Sequence, residues 1–169
     1  IVVVNDGLEN DGTFQVCQMY PTLNIKYVFA GCRNSGVATP RNPGIPNNIA
    51  FKQSSGEVVI LTCPEIYHVN EVLNEIVRPL SESKNVMSTP DFMYLDDGRV
   101  LKGGSPKLNL NLPKRRDMVE MPFCLGLWRE KFDQVGGYDE DMTGYAGEDN
   151  DLVNRLVSSG LSRVRVPAE

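Results

Sequence analysis

The chain has 169 residues, a formal net charge of −5 and four cysteines. That length suits one domain with a real hydrophobic core, and the acidic balance argues against a nucleic-acid backbone as partner. No apolar run approaches the ~20 residues that span a bilayer. Cys17, Cys32, Cys63 and Cys124 form no C-x-x-C pair, so neither a zinc ribbon nor a disulfide framework is indicated, and a reducing, cytoplasmic setting is expected.

Ile1-Val-Val-Val4 reads as a buried strand of the parallel type, and so apolar a start suggests that an earlier strand lies upstream. Asn5-Asp6-Gly7 and Asp11-Gly12-Thr13 are turn chemistry, followed by a short helix near residues 14–20 and a second strand over residues 25–29. Residues 31–40 are loop, rich in Gly, Asn, Ser and Pro. A helix is predicted over residues 45–53, with Pro46 tolerated in its first turn, and Gly56 closes it before a third strand over residues 58–61. Strand, helix, strand, helix, strand at this spacing predicts right-handed βαβ units. The fold class is therefore α/β and Rossmann-like, with a mixed, mostly parallel central sheet flanked by helices. Ligands of such sheets bind beyond the C-terminal strand ends, here Asn5, Asp6, the loop after Phe29 and the turn Thr62-Cys-Pro-Glu65.

Further along, a helix is predicted over residues 69–80, with Val72, Leu73, Ile76, Val77 and Leu80 on one face. Strands are predicted over residues 86–88 and 92–95. Residues 96–117 shift to Gly, Pro, Asn and charge with little periodicity, the composition of a flexible lid or binding loop. The dense basic run Lys114-Arg115-Arg116 falls inside it. A strand over residues 121–127, a helix over 129–135, the turn Gly136-Gly137 and a last strand over 163–166 complete a single domain spanning residues 1–169.

Between that turn and the last strand runs GYAGEDNDLVNRL, residues 144–156. Leu152, Val153, Leu156 and Val157 fall on one helical face, with Gly160 as C-cap. Glu148, Asp149 and Asp151 therefore cluster at the helix start, where acids favour the positive end of the helix dipole and Asp149 or Asn150 can cap it. A cap needs one oxygen and a dipole one charge. Three acids behind a glycine that lets a ligand approach the backbone also suit chemistry on a bound group.

Three segments in order resemble one family. VVVNDGLENDGT is similar to a strand running into an Asp-Gly-Ser-x-Asp-x-Thr turn, and GVATPRNPGIPNNIAFKQSSGEVVIL to a segment in which Arg-Asn-x-Gly starts a helix. FCLGLWREKFDQVGGYDEDMTGYAGEDNDLVNRLVSSG resembles a late segment ending in Gly-x-Glu-Asp-x-Asp-Leu. Together they resemble the glycosyltransferases of the GT-A fold, in particular the inverting enzymes of family 2.

The resemblance implies transfer of a sugar from a nucleotide diphosphate sugar to a hydroxyl of a glycan or other acceptor, with Mn²⁺ or Mg²⁺ as cofactor. It implies that Asp6 accepts a hydrogen bond from the nucleobase, with Asn5, Asp11, Arg41 and Asn42 shaping the donor pocket. Asp149 would be the general base, with Glu148 orienting the acceptor. Gly147 clears space for the sugar, and Trp128 and Tyr145 offer apolar faces to its ring, ordinary core packing being the other reading of Trp128.

The third strand departs from the family. Where Asp-x-Asp is usual, Thr62-Cys63-Pro64 stands, and Glu65 is the nearest acid. Mg²⁺ and Mn²⁺ prefer oxygen ligands, which leaves three readings. Glu65 is the sole protein ligand of the metal; or Lys114, Arg115 or Arg116 neutralises the diphosphate; or the domain binds nucleotide or glycan without turnover. His68, the one histidine, is read as structural before it is read as a ligand.

Overall fold

The structure, a computed structural model, describes residues 1–31, 42–64, 66, 68, 71–90, 92–94, 114–116, 124–142 and 147–167. In chain order its elements are β1 (Val2–Asn5), α1 (Thr13–Gln18), β2 (Lys26–Phe29), α2 (Gly44–Gln53), β3 (Val58–Thr62), α3 (Val72–Glu82) and β4 (Val86–Pro90). There follow β5 (Phe92–Tyr94), β6 (Lys114–Arg116), β7 (Cys124–Trp128), α4 (Arg129–Gln134), α5 (Glu148–Ser158) and β8 (Ser162–Val166).

The mixed α/β character expected from the sequence is present, with two refinements. Hydrogen bonding among the described residues divides the strands into a parallel pair β1–β2, a four-stranded sheet ordered β3-β7-β4-β8, and an antiparallel pair β5–β6. The four-stranded sheet is itself mixed: β4 and β8 are parallel, while β7 runs antiparallel to β3 and β4. The basic run Lys114–Arg116, expected in a flexible loop, is instead strand β6, whose Arg115 pairs with Met93. Three consecutive basic residues carry no apolar period, so this strand had no signal in the sequence. Most of the remaining 96–117 segment lies outside the described residues.

The core lies on both faces of the four-stranded sheet. Along β7 the side chains alternate as a strand requires: Leu125 and Leu127 join Phe51, Phe132, Leu152 and Leu156 on one side, while Cys124 joins Val72, Ile76 and Val166 on the other. Between them Gly126 lets α3 approach closely, because a Cβ there would collide with Ile76 and meet Leu80 Cδ1 at 3.2 Å. On α3 only Val72, Ile76 and Leu80 are buried. Leu73 and Val77, expected on the same face, are 43% and 39% exposed, as is Val157 on α5 at 50%. A single flat sheet covers a narrower stripe of helix than the apolar pattern offers.

Arg129 ties the helix before β3 to the one after β7. Its Nε donates to Gly56 O at 2.7 Å and its Nη2 to Ser54 Oγ at 2.6 Å, while Nη1 reaches Phe51 O at 3.3 Å. These bonds join the end of α2 and the turn after it to the start of α4.

Candidate functional site

Glu148, Asp149 and Asp151 all lie in the first turn of α5. Neither Asp149 nor Asn150 caps it, in contrast to the reading from sequence. Gly147 occupies the N-cap, with φ 127° and no side-chain hydrogen bond. A backbone in that region strains any residue with a Cβ, so the glycine is what turns the chain into the helix with all three acids inside the first turn. Asp151 is committed elsewhere: its Oδ2 accepts from Arg155 Nε at 2.7 Å, and Arg155 Nη1 donates to Val135 O at 2.7 Å, joining α5 to the end of α4.

Asp149 is held differently. Its Oδ1 accepts a hydrogen bond from the Tyr138 hydroxyl at 2.9 Å. Burial pushes the Asp149 carboxyl above its ordinary range; the Tyr138 hydrogen bond works against that rise, and the neighbouring Glu148 charge adds to it. Tyr138 is itself only 5% exposed. Burial first, then the charge and hydrogen bond of Asp149, raise its hydroxyl well above the usual tyrosine range, with smaller contributions from Cys63 and Glu148. The raised Tyr138 hydroxyl stays protonated, so the tyrosine is the donor of the pair.

Cys63, immediately beyond the C-terminal end of β3, is the source of that smaller electrostatic contribution from outside α5. Tyr138 in turn is fixed by α2: buried Asn48 donates from Nδ2 to Tyr138 O at 2.8 Å and to Glu140 Oε1 at 2.9 Å, and accepts from Tyr138 N at 2.9 Å. Gly137, with φ 74°, makes this possible, since a Cβ there would stand 2.6 Å from Asn48 Oδ1. A cavity of about 240 Å³ opens beside this clamp, between Asn48, Lys52, Phe132 and Glu140.

Comparison with known proteins bears on this arrangement. Residues 123–169, which include α5 and Tyr138, match the family model described as the N-terminal domain of galactosyltransferase. Validoxylamine A glucosyltransferase of Streptomyces hygroscopicus subsp. jinggangensis (strain 5008) is 27% identical over 187 residues, covering 95% of this chain and 44% of that protein. The chain spans less than half the length of the curated relatives it matches. Among solved structures, mannosyltransferase PcManGT from Pyrobaculum calidifontis in complex with GDP-Man and Mn²⁺ superposes with a TM-score of 0.64 at 16% identity, covering 98% of this chain and 45% of that one. S. aureus TarS in complex with UDP-GlcNAc gives 0.66 at 21% identity, covering 96% and 46%. The chain has the GT-A glycosyltransferase fold.

The remaining expected site residues of this GT-A domain fall into separate groups. Asn5 ends β1, and Asp6 and Asp11 lie in the loop that follows it. Buried Asn5 organises that loop, its Nδ2 standing 3.1 Å from Leu8 O, both Asp11 carboxylate oxygens and Tyr27 Oη, while its Oδ1 accepts from Gly7 N. Asp11 also accepts from Thr13 N at 2.9 Å, the main reason its carboxyl lies below the ordinary range. Asp6 makes no hydrogen bond or ion pair with another described residue. Asn42 donates to Asp139 O and Glu140 O and accepts from Gly44 N, bracing the loop that carries Tyr138. Its amide is thereby occupied. Because α2 also packs against β1, this helix bridges the Asp6 loop and the Asp149 group.

Trp128 pairs with Val58 at the start of β3, whereas Cys124 at the other end of β7 pairs with Thr62. Trp128 donates to Leu80 O at 2.9 Å with Lys84 over its ring, contacts that suit the packing reading of this residue. Arg41, Glu65 and Tyr145 lie outside the described residues.

Among the described residues no group of three or more His, Cys, Asp or Glu side chains could hold a metal ion. His68 Nε2 stands 3.4 Å from Thr62 Oγ1 and approaches no such group. Among the described residues, too, no helix is long and apolar enough to cross a membrane.

Tyr138 and Asn48 carry the geometry of the site without having stood out in the sequence. The available signal was the pair Gly136-Gly137 directly before a tyrosine, a sharp turn that aims one large polar side chain.

Proposed function

We propose that the protein containing this chain is an inverting glycosyltransferase that takes a sugar from a nucleotide diphosphate sugar and delivers it to an acceptor hydroxyl, with Asp149 as general base. One observation carries the reading: a carboxylate at a helix start, pushed up by burial and held through one oxygen by a neutral tyrosine. A base must be ionised before the reaction and accept a proton during it, so a carboxyl raised toward neutrality serves better than a solvated one. Nucleotide sugars accompany GT-A neighbours of this chain, GDP-Man in PcManGT and UDP-GlcNAc in TarS, and supply the donor class.

In this reading the acceptor oxygen attacks the anomeric carbon as its proton passes to Asp149 Oδ2, the oxygen Tyr138 leaves free. The bond from that carbon to the diphosphate breaks, its electron pair leaving with the nucleotide diphosphate. A single displacement inverts the carbon. Glu148 orients the acceptor, Gly147 and Tyr145 border it, and Asp6, with Asp11 and Arg41, receives the nucleotide.

The test uses the full-length protein with a panel of UDP-, GDP- and dTDP-sugars, with and without Mn²⁺. Asp149→Asn is expected to abolish release of nucleotide diphosphate while the nucleotide-induced thermal shift persists. Retained turnover in that variant removes the base. No turnover with any donor and acceptor, alongside a clear nucleotide-induced shift, favours a domain that only binds. A shift that requires Mn²⁺ and is lost in Glu65→Gln would assign the cation to that side chain.

A further inference from the structure

We infer that Tyr138 is a positioning residue for the reaction, its hydroxyl fixing Asp149 Oδ1 so that Oδ2 alone is presented to the acceptor. The inference rests on the reading of Asp149 as base and extends it to a residue that neither the spacing of the acids nor the family comparisons single out.

The geometry has three parts. Tyr138 cannot wander, because Asn48 holds its backbone N–H and C=O at 2.9 and 2.8 Å from the other side of the core. Its ring packs edge-on against Phe132 with centroids 6.1 Å apart, which fixes where the hydroxyl points. The hydroxyl then donates to Asp149 Oδ1 at 2.9 Å. A phenol that stays protonated can only donate in this pair, so the carboxylate's second oxygen remains free to accept a proton from elsewhere.

The same bond sets when Asp149 is ionised. Among the described residues, the titratable groups whose charge acts on the pair are Glu148 on α5 and Cys63 after β3, and burial and Glu148 both push the Asp149 carboxyl up. Among the causes of its shift, Tyr138 alone favours the charged form. Removing the hydroxyl leaves the upward pressures unopposed, and the base is then protonated over a wider range.

The test is Tyr138→Phe, which deletes one oxygen and retains every backbone bond to Asn48. The pH–rate profile of kcat is expected to move its acidic limb to higher pH, with kcat down roughly tenfold at neutral pH and the donor KM unchanged, since a hydrogen bond to a charged group is lost. In parallel, the Asp149 carboxyl carbon is titrated by NMR in wild type and variant, a readout independent of turnover. An upward move of that titration is expected. An unchanged titration and limb overturn the role of Tyr138 while leaving Asp149 as base. Retained turnover in Asp149→Asn, or a wild type without turnover, overturns the base and with it this inference, whatever Tyr138→Phe shows.

Discussion

Replacing Asn48 by alanine is the sharpest test of how the site is built. The amide serves both backbone groups of Tyr138, and these lie in the core. Each buried group left without a partner costs about 1–3 kcal/mol, so the pair would cost about 2–6 kcal/mol if nothing replaced the amide. The adjoining cavity of about 240 Å³ admits water to the vacated position, which returns part of the loss. The bond to exposed Glu140 adds little. About 2–4 kcal/mol is the expected loss, a large share of the stability of a domain this size. Urea unfolding should show a lower midpoint at unchanged m. Asn48→Asp should do no better, since it keeps the acceptor for Tyr138 N–H but turns a second oxygen toward Tyr138 O and Glu140. A loss below about 1 kcal/mol in Asn48→Ala would refute the claim that α2 holds the tyrosine in place.

Two further perturbations probe the sheet face and the base. Gly126→Ala should destabilise by about 1–3 kcal/mol in thermal unfolding, because its methyl group meets fully buried Ile76 and neighbouring Leu80 with no space to yield; a neutral result would mean α3 does not lie against β7. Asp149→Asn should be more stable than wild type at neutral pH. The sign follows from the carboxyl being raised by burial: between the ordinary value of 3.8 and the raised one the native state binds more protons than the unfolded chain, so wild-type stability falls as pH rises through that window. The difference in urea midpoints between variant and wild type should therefore grow as pH rises and then level off. A difference independent of pH would contradict the burial argument.

Much of the fold was legible because its signals are local. The runs at residues 1–4 and 58–61 are continuous apolar stretches and became β1 and β3; the turn glycines and the amphipathic stretch after residue 148 fixed α5. What escaped depends on distant partners. Lys114–Arg116 forms a strand only because Phe92–Tyr94 offers backbone groups to pair with. Leu73 and Val77 carry the right period and still face outward, since the sheet decides how wide a stripe it covers. Trp128 could be read from residue type alone as a sugar platform or as core packing. The register of β7 against β3 places it beside Val58 at the start of β3, and register is a property of two strands that neither shows by itself.

The site divides along the same line. Glu148 and Asp149 declared themselves by type and spacing, but a carboxylate at an exposed helix start would simply remain a solvated acid. Its chemistry is made by neighbours remote in sequence. In the proposed reading of Asp149 as base, burial alone would favour the protonated form and disable it, while full exposure would leave it too weak to take a proton. The buried tyrosine sets the balance between these limits, and it can do so only because an asparagine 90 residues earlier pins its backbone. On that reading the acid owes its role to the fold: a change on α2 that never touches substrate should alter the pH at which Asp149 works, in the same direction as loss of the Tyr138 hydroxyl.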